Sequence, residues 1–462
     1  MNSIFSSIDI DLLKKYDKPG PRYTSYPTAP LFSPNYNPRM FIEDLKQNNV
    51  GIAHPLSLYF HIPFCDTLCY FCGCTTIITP NTAHLKKYID YLKNEIDAVS
   101  KYISSKRQVV QLHWGGGTPS YLQPDQIREV GNFIKDRFNY SKNIEYGVEI
   151  DPRGLTFDHM EAFREIGMNR VSIGVQDFNE EVQIASNRVQ SEEITMNAYN
   201  WARDMGIKSI NLDLIYGLPK QTKDSFEKTL DKAIEISPER FAIFNFAYIP
   251  WLKPHQKLIN QADLPTADMK LQMLKMIIEK LVGAGYEYIG MDHFVKPTDE
   301  MAIAQKNKTL YRNFQGYSTN AQADLFGFGM SSISHFGTVY SQNYKTLDEY
   351  YKSIDNGEFP THLGYRMNQD DIIRKHVIMR LMCDLELDKI QVENLFNIKY
   401  DEYFSESIID LEPFVNEGII VNTRDKILIQ GMGRLVLRNI AMCFDAYIKK
   451  MVKEKPIFSR TV

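Results

Sequence analysis

Thiols are scarce in this chain, with six cysteines among 462 residues, and tryptophan is scarcer still at three. Positive charge is not in excess either: 53 Lys and Arg stand against 57 Asp and Glu, a formal charge of −4. Such a balance lacks the electrostatic footprint of a nucleic-acid binder or a protein of anionic membrane surfaces. No unbroken apolar run approaches the roughly 18 residues that a membrane-spanning helix needs. The start, MNSIFSSIDIDLLKKYDKPG, has no basic leader and puts Asp9 and Asp11 where the apolar core of a secretory signal would lie. The expectation is a cytoplasmic chain in which thiols stay reduced, so that a structural disulfide is the poorest use of a cysteine. Internal repeats and low-complexity segments are also missing.

What is present is an ordinary globular balance, 44% hydrophobic and 24% charged, in a chain of 53.6 kDa. That length accommodates a large core and a second, smaller domain. Between residues 55 and 335 short apolar or β-branched runs alternate with stretches of helical spacing. LSLYFHI (56–62), VVQLHW (109–114), EYGVEI (145–150), RVSIGV (170–175), INLDLIYG (210–217) and RFAIFNFAYI (240–249) read as strands, and YEYIGM (286–291) as another. The stretches between them carry helix caps and closing glycines. Strand and helix in alternation predict parallel strands joined by right-handed crossovers, and so many units in a row favour an α/β barrel, complete or partial, over a small doubly wound sheet. Chemistry in such barrels gathers at the C-terminal strand ends. The polar and glycine-rich features do fall there: GGGTP after the second strand, EIDPR at the third, VQDF at the fourth. Past about residue 360 the rhythm becomes helix, helix, hairpin, helix, a winged-helix-like pattern that is not strongly basic. A packing cover over the barrel suits it better than DNA binding. The expected division is an N-terminal arm over residues 1–50, a barrel over 51–355 and a mostly helical domain over 356–462.

Four of the six cysteines crowd into HIPFCDTLCYFCGC (61–74), as Cys65, Cys69, Cys72 and Cys74. Structural zinc usually takes two cysteine pairs separated by a long spacer, and C-x3-C-x2-C-x-C on one loop is not that. A redox pair at Cys69 and Cys72 remains possible by spacing, without the helix N-terminus that usually serves one. A cubane [4Fe–4S] cluster suits the loop best, because its corners are reachable from consecutive turns.

C-x3-C-x-F-C after a first barrel strand resembles the signature of the radical S-adenosylmethionine superfamily. The longer YFHIPFCDTLCYFCGC is similar to one family within it, the oxygen-independent coproporphyrinogen III oxidases, or coproporphyrinogen dehydrogenases. PGPRYTSYPTAP, QLHWGGGTPSYL, EIDPRG, GVQDFN, NLDLIYGLPKQT, GMDHF, RNFQGYST and IAMCFDAY resemble further blocks of that family, from the arm to the last helix. The resemblance implies a partial (β/α) TIM-like barrel of the radical S-adenosylmethionine type. It also implies a [4Fe–4S] cluster held by Cys65, Cys69 and Cys72, with its fourth iron open to the amino and carboxylate groups of S-adenosylmethionine. Cys74 is then one thiol too many, expected beside the substrate or behind the ligands. Gly116, Gly117 and Thr118 would grip the methionine end of the cofactor, Glu149 the ribose diol, and Tyr59, Phe71 and Ile333 its adenosine and the cluster. A second S-adenosylmethionine would lie on Gln176, Arg188, Asp213 and the backbone at Ala247. On residues alone Asp213, between Leu212 and Leu214, reads equally as half of a buried ion pair, since a buried carboxylate needs a partner.

The implied activity is oxidative decarboxylation of coproporphyrinogen III to protoporphyrinogen IX by a 5′-deoxyadenosyl radical mechanism in anaerobic haem biosynthesis, turning the propionates of rings A and B into vinyl groups. Four propionates ask for arginines, and Arg22, Arg312 and Arg374 are the candidates, with Tyr26 and Gln315 beside them. The Tyr- and Pro-rich arm would close over the barrel mouth and keep water from a radical. An external electron donor and acceptor are required, and a monomer is expected. The alternatives are a haem chaperone with the same cysteine loop, another radical tetrapyrrole enzyme, or a zinc-stabilised protein with a DNA-binding tail. The first typically lacks the fourth cysteine, the PGPRYTSYPT arm and the RNFQGYST block, and this chain has all three.

Overall fold

A computed structural model describes residues 8–49, 54–451 and 457–461. The first seven residues, on which part of the leader reading rests, lie outside them. One sheet of 12 strands dominates. Its strands are β1 (Leu56–Ile62), β2 (Gln108–Gly116), β3 (Asn139–Ile150), β4 (Arg170–Gln176), β5 (Ser209–Tyr216), β6 (Arg240–Asn245), β7 (Glu287–Gly290), β8 (His293–Val295), β9 (Asp324–Phe328), β10 (Ile333–Phe336), β11 (Val339–Asn343) and β12 (Thr361–Arg366). The order is β12-β11-β10-β9-β1-β2-β3-β4-β5-β6-β8-β7. From β9 through β6 every pairing is parallel, while β8, β7 and β10 to β12 are added antiparallel at the two edges. Because β12 and β7 are both edges, the barrel is open, as a partial barrel requires. The strand expected at 286–291 exists, but β8 stands between it and β6.

Why these runs curl into a barrel is visible in their alternation. In β5, Ile210, Leu212 and Leu214 are buried on the outer side, and Ser209, Asn211 and Asp213 line the lumen. The same holds for β4, with Val171, Ile173 and Val175 buried outside and Arg170, Ser172, Gly174 and Gln176 inside. The outer residues meet the crossover helices, which include α1 (Ala83–Ser100), α2 (Pro124–Lys135), α3 (Phe157–Glu165), α4 (Glu180–Ala185), α5 (Glu192–Asp204), α6 (Lys223–Ile236) and α7 (Ala267–Gly283). Trp114 of β2, fully buried, packs edge-on against Phe163 of α3 with ring centroids 6.1 Å apart. Each such buried apolar side chain contributes about 2 kcal/mol, enough in sum to offset the polar inner face.

The C-terminal segment holds α8 (Gln369–Asp384), shorter helices and a three-stranded sheet of β13 (Glu386–Asp388), β14 (Ile420–Asn422) and β15 (Lys426–Ile429), in order β13-β15-β14. The hairpin was expected and β13 was not. The closing helix is broken: Leu437–Met442 is helical, then a turn, then a short 3-10 piece at Ile448–Lys450. The chain ends meet here, with Pro19 bridged to Arg460 and Gly20 N–H donating to Ser459 O at 3.0 Å. β12 belongs to the large sheet although it lies within the expected C-terminal segment. No helix among the described residues is long and apolar enough to cross a membrane.

Candidate active site

A cavity of about 420 Å³ fills the barrel lumen and opens at the C-terminal strand ends. All four thiols of the loop line it, none in a disulfide. The loop is held from below and beside. Phe64–Cys65 pairs with Ile77–Ile78, and Thr79 N–H donates to Cys65 O at 3.1 Å. Tyr70 N–H donates to Ser186 O at 3.0 Å, and Asn187 Nδ2 to Leu68 O at 2.8 Å, both from the end of α4. From the loop after β6, His255 Nε2 lies 2.9 Å from Cys72 O and Lys253 Nζ donates to Cys74 O at 3.0 Å.

Two arginines face Cys69: Arg153 at 3.4 Å and Arg188 at 3.7 Å from Sγ. Both also bind Asp151, at 2.7 and 2.6 Å. The Cys72 thiol, hydrogen-bonded to Cys74 and near Lys253 and His255, is held below the usual thiol range, whereas burial pushes Cys65 up to about 12. Among the described residues no three Cys, His, Asp or Glu converge where one metal ion would sit. A cube of four irons asks for no such convergence, only for thiols spread along one wall and positive charge to offset their thiolates. The donor set fits that group better than zinc.

GGGTP ends β2 with no room for side chains. A Cβ on Gly115 would lie 2.7 Å from the Glu149 carboxylate, and one on Gly117 2.6 Å from Phe64 O. Gly116, at φ +117°, adopts a conformation that other residues resist. Glu149 faces the cavity half-exposed; its position deep in the barrel would raise its pKa, yet it lies below its ordinary value because His113 Nε2 and Gly116 N–H donate to it at 3.1 and 3.4 Å. Thr118 Oγ1 accepts from Asp151 N–H at 3.1 Å. Across the lumen Asp213 accepts from Ser172 Oγ and Asn211 Nδ2, each at 2.7 Å, and burial pushes it up to about 7. Arg188, 7% exposed, donates to Gly174 O at 2.6 Å, and its Nε has no partner. Gln176 sits at φ +68°, a backbone strain of about 1 kcal/mol held by its neighbours. These residues, with Phe71, share the cavity.

The remaining expected residues are distributed more widely. Tyr59 stacks on His113 at 6.1 Å, and its hydroxyl is 3.1 Å from His61 Nδ1. Ile333 begins β10, its carbonyl against Gly327. Ala247 and Arg22 line a second cavity, of about 380 Å³. Gln315 lines the thiol cavity, with both amide atoms buried and lacking protein partners. Arg312 is 3% exposed, donates to Arg22 O at 3.1 Å and lies over the Tyr317 ring. Tyr26 and Arg374 line neither cavity. Tyr26 is fully buried and its hydroxyl accepts from Ala446 N–H, while Arg374 binds Asp370 and Phe444 O. Residues not anticipated include Asp151, Arg153, His113, Glu145, Arg170, Arg240 and His293, all lining the thiol cavity. For His113, Glu145, Arg170 and Arg240 the signal was the polar alternation in β2 to β6.

The model of the radical S-adenosylmethionine superfamily matches residues 59–233. The chain is 45% identical over 456 residues to an oxygen-independent coproporphyrinogen III oxidase of Pseudomonas aeruginosa, covering 98% of each. It is 42% identical over 454 residues to the Escherichia coli protein of that name, again covering 98% of each. The solved structure of the Escherichia coli coproporphyrinogen III oxidase, described as a radical S-adenosylmethionine enzyme, superposes with a TM-score of 0.91 over 96% of this chain and 99% of that one, at 42% identity. With this identity along nearly its whole length, the chain belongs to the family of oxygen-independent coproporphyrinogen III oxidases, within the radical S-adenosylmethionine superfamily.

Proposed function

We propose that this protein converts coproporphyrinogen III to protoporphyrinogen IX by oxidative decarboxylation of the ring A and ring B propionates. Each propionate loses its carboxylate as CO₂, and its two remaining carbons become a vinyl group after loss of one hydrogen atom and one electron. Cys65, Cys69 and Cys72 would hold the [4Fe–4S] cluster; two S-adenosylmethionines would occupy the lumen, one at Gly116, Gly117, Thr118 and Glu149, the other at Gln176, Arg188 and Asp213 with one end reaching the backbone at Ala247, on the side of the second cavity. When bound, the reduced cluster and S-adenosylmethionine together supply the radical that abstracts the hydrogen.

The protein's own residues do the rest. Arg153 and Arg188 offset the Cys69 thiolate. Glu149, kept ionised, accepts the two hydrogen bonds of a ribose diol, and the side-chain-free turn at 115–117 lets backbone approach the ligand. Gln315 offers an unused donor and acceptor to the substrate. The arm, tied to the C-terminal segment, closes one side of the barrel and keeps water out. Donor and acceptor of electrons are external, and the chain acts as a cytoplasmic monomer.

The observation that carries the reading is the meeting of the thiol loop, the glycine turn and Glu149 in one lumen. Its test is anaerobic incubation with coproporphyrinogen III, S-adenosylmethionine and a strong reductant, with products separated by chromatography. Formation of protoporphyrinogen IX is expected. Cleavage of S-adenosylmethionine with no vinyl product would sink the proposal.

A further inference from the structure

The second cavity differs from the first in charge. The thiol cavity is balanced, four arginines facing four carboxylates. The second is lined by Arg22, Lys270, Arg434, Arg438 and Arg460 against Asp17 and Asp292. Burial and repulsion push three of these cations down: Arg22 to about 9 through burial, Arg312 and Arg438; Lys270 to about 8 through burial; Arg438 to about 10 through burial and Arg312. Arg434 Nε is buried without a partner. Much of the remaining wall is apolar, with Phe246, Trp251, Leu271, Leu274 and Leu437. An excess of cation, partly withdrawn from solvent beside apolar walls, favours an amphipathic polyanion.

The two cavities share a wall. Ala242 and Phe244 of β6 face the thiol cavity and Asn245 faces the second. Arg22 pairs with Asp292 and lies 6.0 Å from the Phe244 ring centroid, and His293, next in sequence, lines the thiol cavity. A ligand seated against Arg22 would thus reach toward the lumen with its far edge.

We propose that the second cavity binds the carboxylate-bearing edge of the tetrapyrrole, with Lys270 and Arg434 as anchors for propionates that are not being decarboxylated. This rests on the proposed substrate class and adds a site to it. Lys270 Nζ donates to Phe246 O at 2.7 Å and reaches Asn245 Oδ1 at 3.3 Å; Arg434 donates to Tyr288 O. Both keep further donors for a carboxylate.

The test titrates the anaerobically reconstituted protein with coproporphyrin III, which carries four carboxylates and is stable in air, and with etioporphyrin III, which carries none, following fluorescence. Lys270→Met and Arg434→Gln should each weaken coproporphyrin III binding about tenfold, leave etioporphyrin III unaffected, and raise KM for coproporphyrinogen III more than they lower kcat. Lys270→Arg should restore binding. Unchanged coproporphyrin III affinity in both variants, or an equal loss for etioporphyrin III, overturns the proposal. Should either variant fail to fold, the parent still decides: its coproporphyrin III affinity must fall between about 50 and about 500 mM salt, and a flat response overturns the site. A parent that binds coproporphyrin III in this way yet yields no vinyl product would count against the reaction and leave the cavity's assignment standing.

Discussion

Asp213 shows how much chemistry one side chain can hold when its surroundings are fixed. Burial keeps it protonated up to about 7, opposed by donors from Ser172 and Asn211 and the nearby His113, and reinforced by Glu149. In an unfolded chain the same group ionises near 3.9. Its contribution is therefore neutral below that value, then destabilising by a growing amount as pH rises toward 7, and constant beyond. Melting curves of the cofactor-free protein should show Tm falling with pH from about 4 to 7 less steeply in Asp213→Asn than in the parent. A cationic amino group seated on Asp213 would reverse the preference. S-adenosylmethionine affinity, measured by calorimetry, should then rise up to tenfold per pH unit below about 7 and flatten above it, and should lose this slope in Asp213→Asn. Equal slopes would show that the cofactor does not use this carboxylate. Cys74 separates from its neighbours in the same way. Iron and sulfide analysis should find a full cluster in Cys74→Ser and none in Cys65→Ala, Cys69→Ala or Cys72→Ala. Iron lost from Cys74→Ser alone would make it a ligand.

At the scale of elements, the strands were legible because barrel strands expose two different environments. Polar residues and glycines at alternate positions of β3 to β5 are what an inward face over a cavity requires, and the apolar alternates are what helices cover. The turn between β9 and β10 was less legible. It is fastened from behind by α1: Glu95 accepts from Gly329 N–H at 2.7 Å, Asn343 Nδ2 at 2.6 Å and Tyr350 OH at 2.6 Å. Tyr88 OH donates to His61 O at 2.6 Å, tying α1 to the strand that feeds the cysteine loop. A single glutamate in an amphipathic helix gives no hint of three donors waiting behind a distant turn. Glu95→Ala should leave those donors buried and unmatched, cost about 3 kcal/mol and lower Tm by several degrees. An unchanged Tm would mean that water replaces the carboxylate.

For the whole molecule, the decisive contact is between the chain's two ends. Arg438, 4% exposed, donates to Pro21 O at 2.9 Å and to Arg460 O at 2.7 Å, and also to Gly20 O. Tyr23 OH adds a bond to Asp445 at 2.9 Å. Arg438→Ala should strand several buried carbonyls, cost about 3 kcal/mol or more, and free the arm. Limited proteolysis should then cut between residues 8 and 28 faster than in the parent, and equal cutting rates would remove Arg438 from the clamp. The sequence by itself determined the barrel rhythm, the thiol loop with its glycine turn, and the family, because periodicity and short motifs are local properties of the chain. Tertiary structure alone decided that Tyr26 and Arg374 line neither cavity, that Arg153 and Arg188 face Cys69, and that both chain ends wall a cation-rich cavity. Those outcomes depend on which distant residues burial brings within hydrogen-bond reach, and no local pattern encodes that distance.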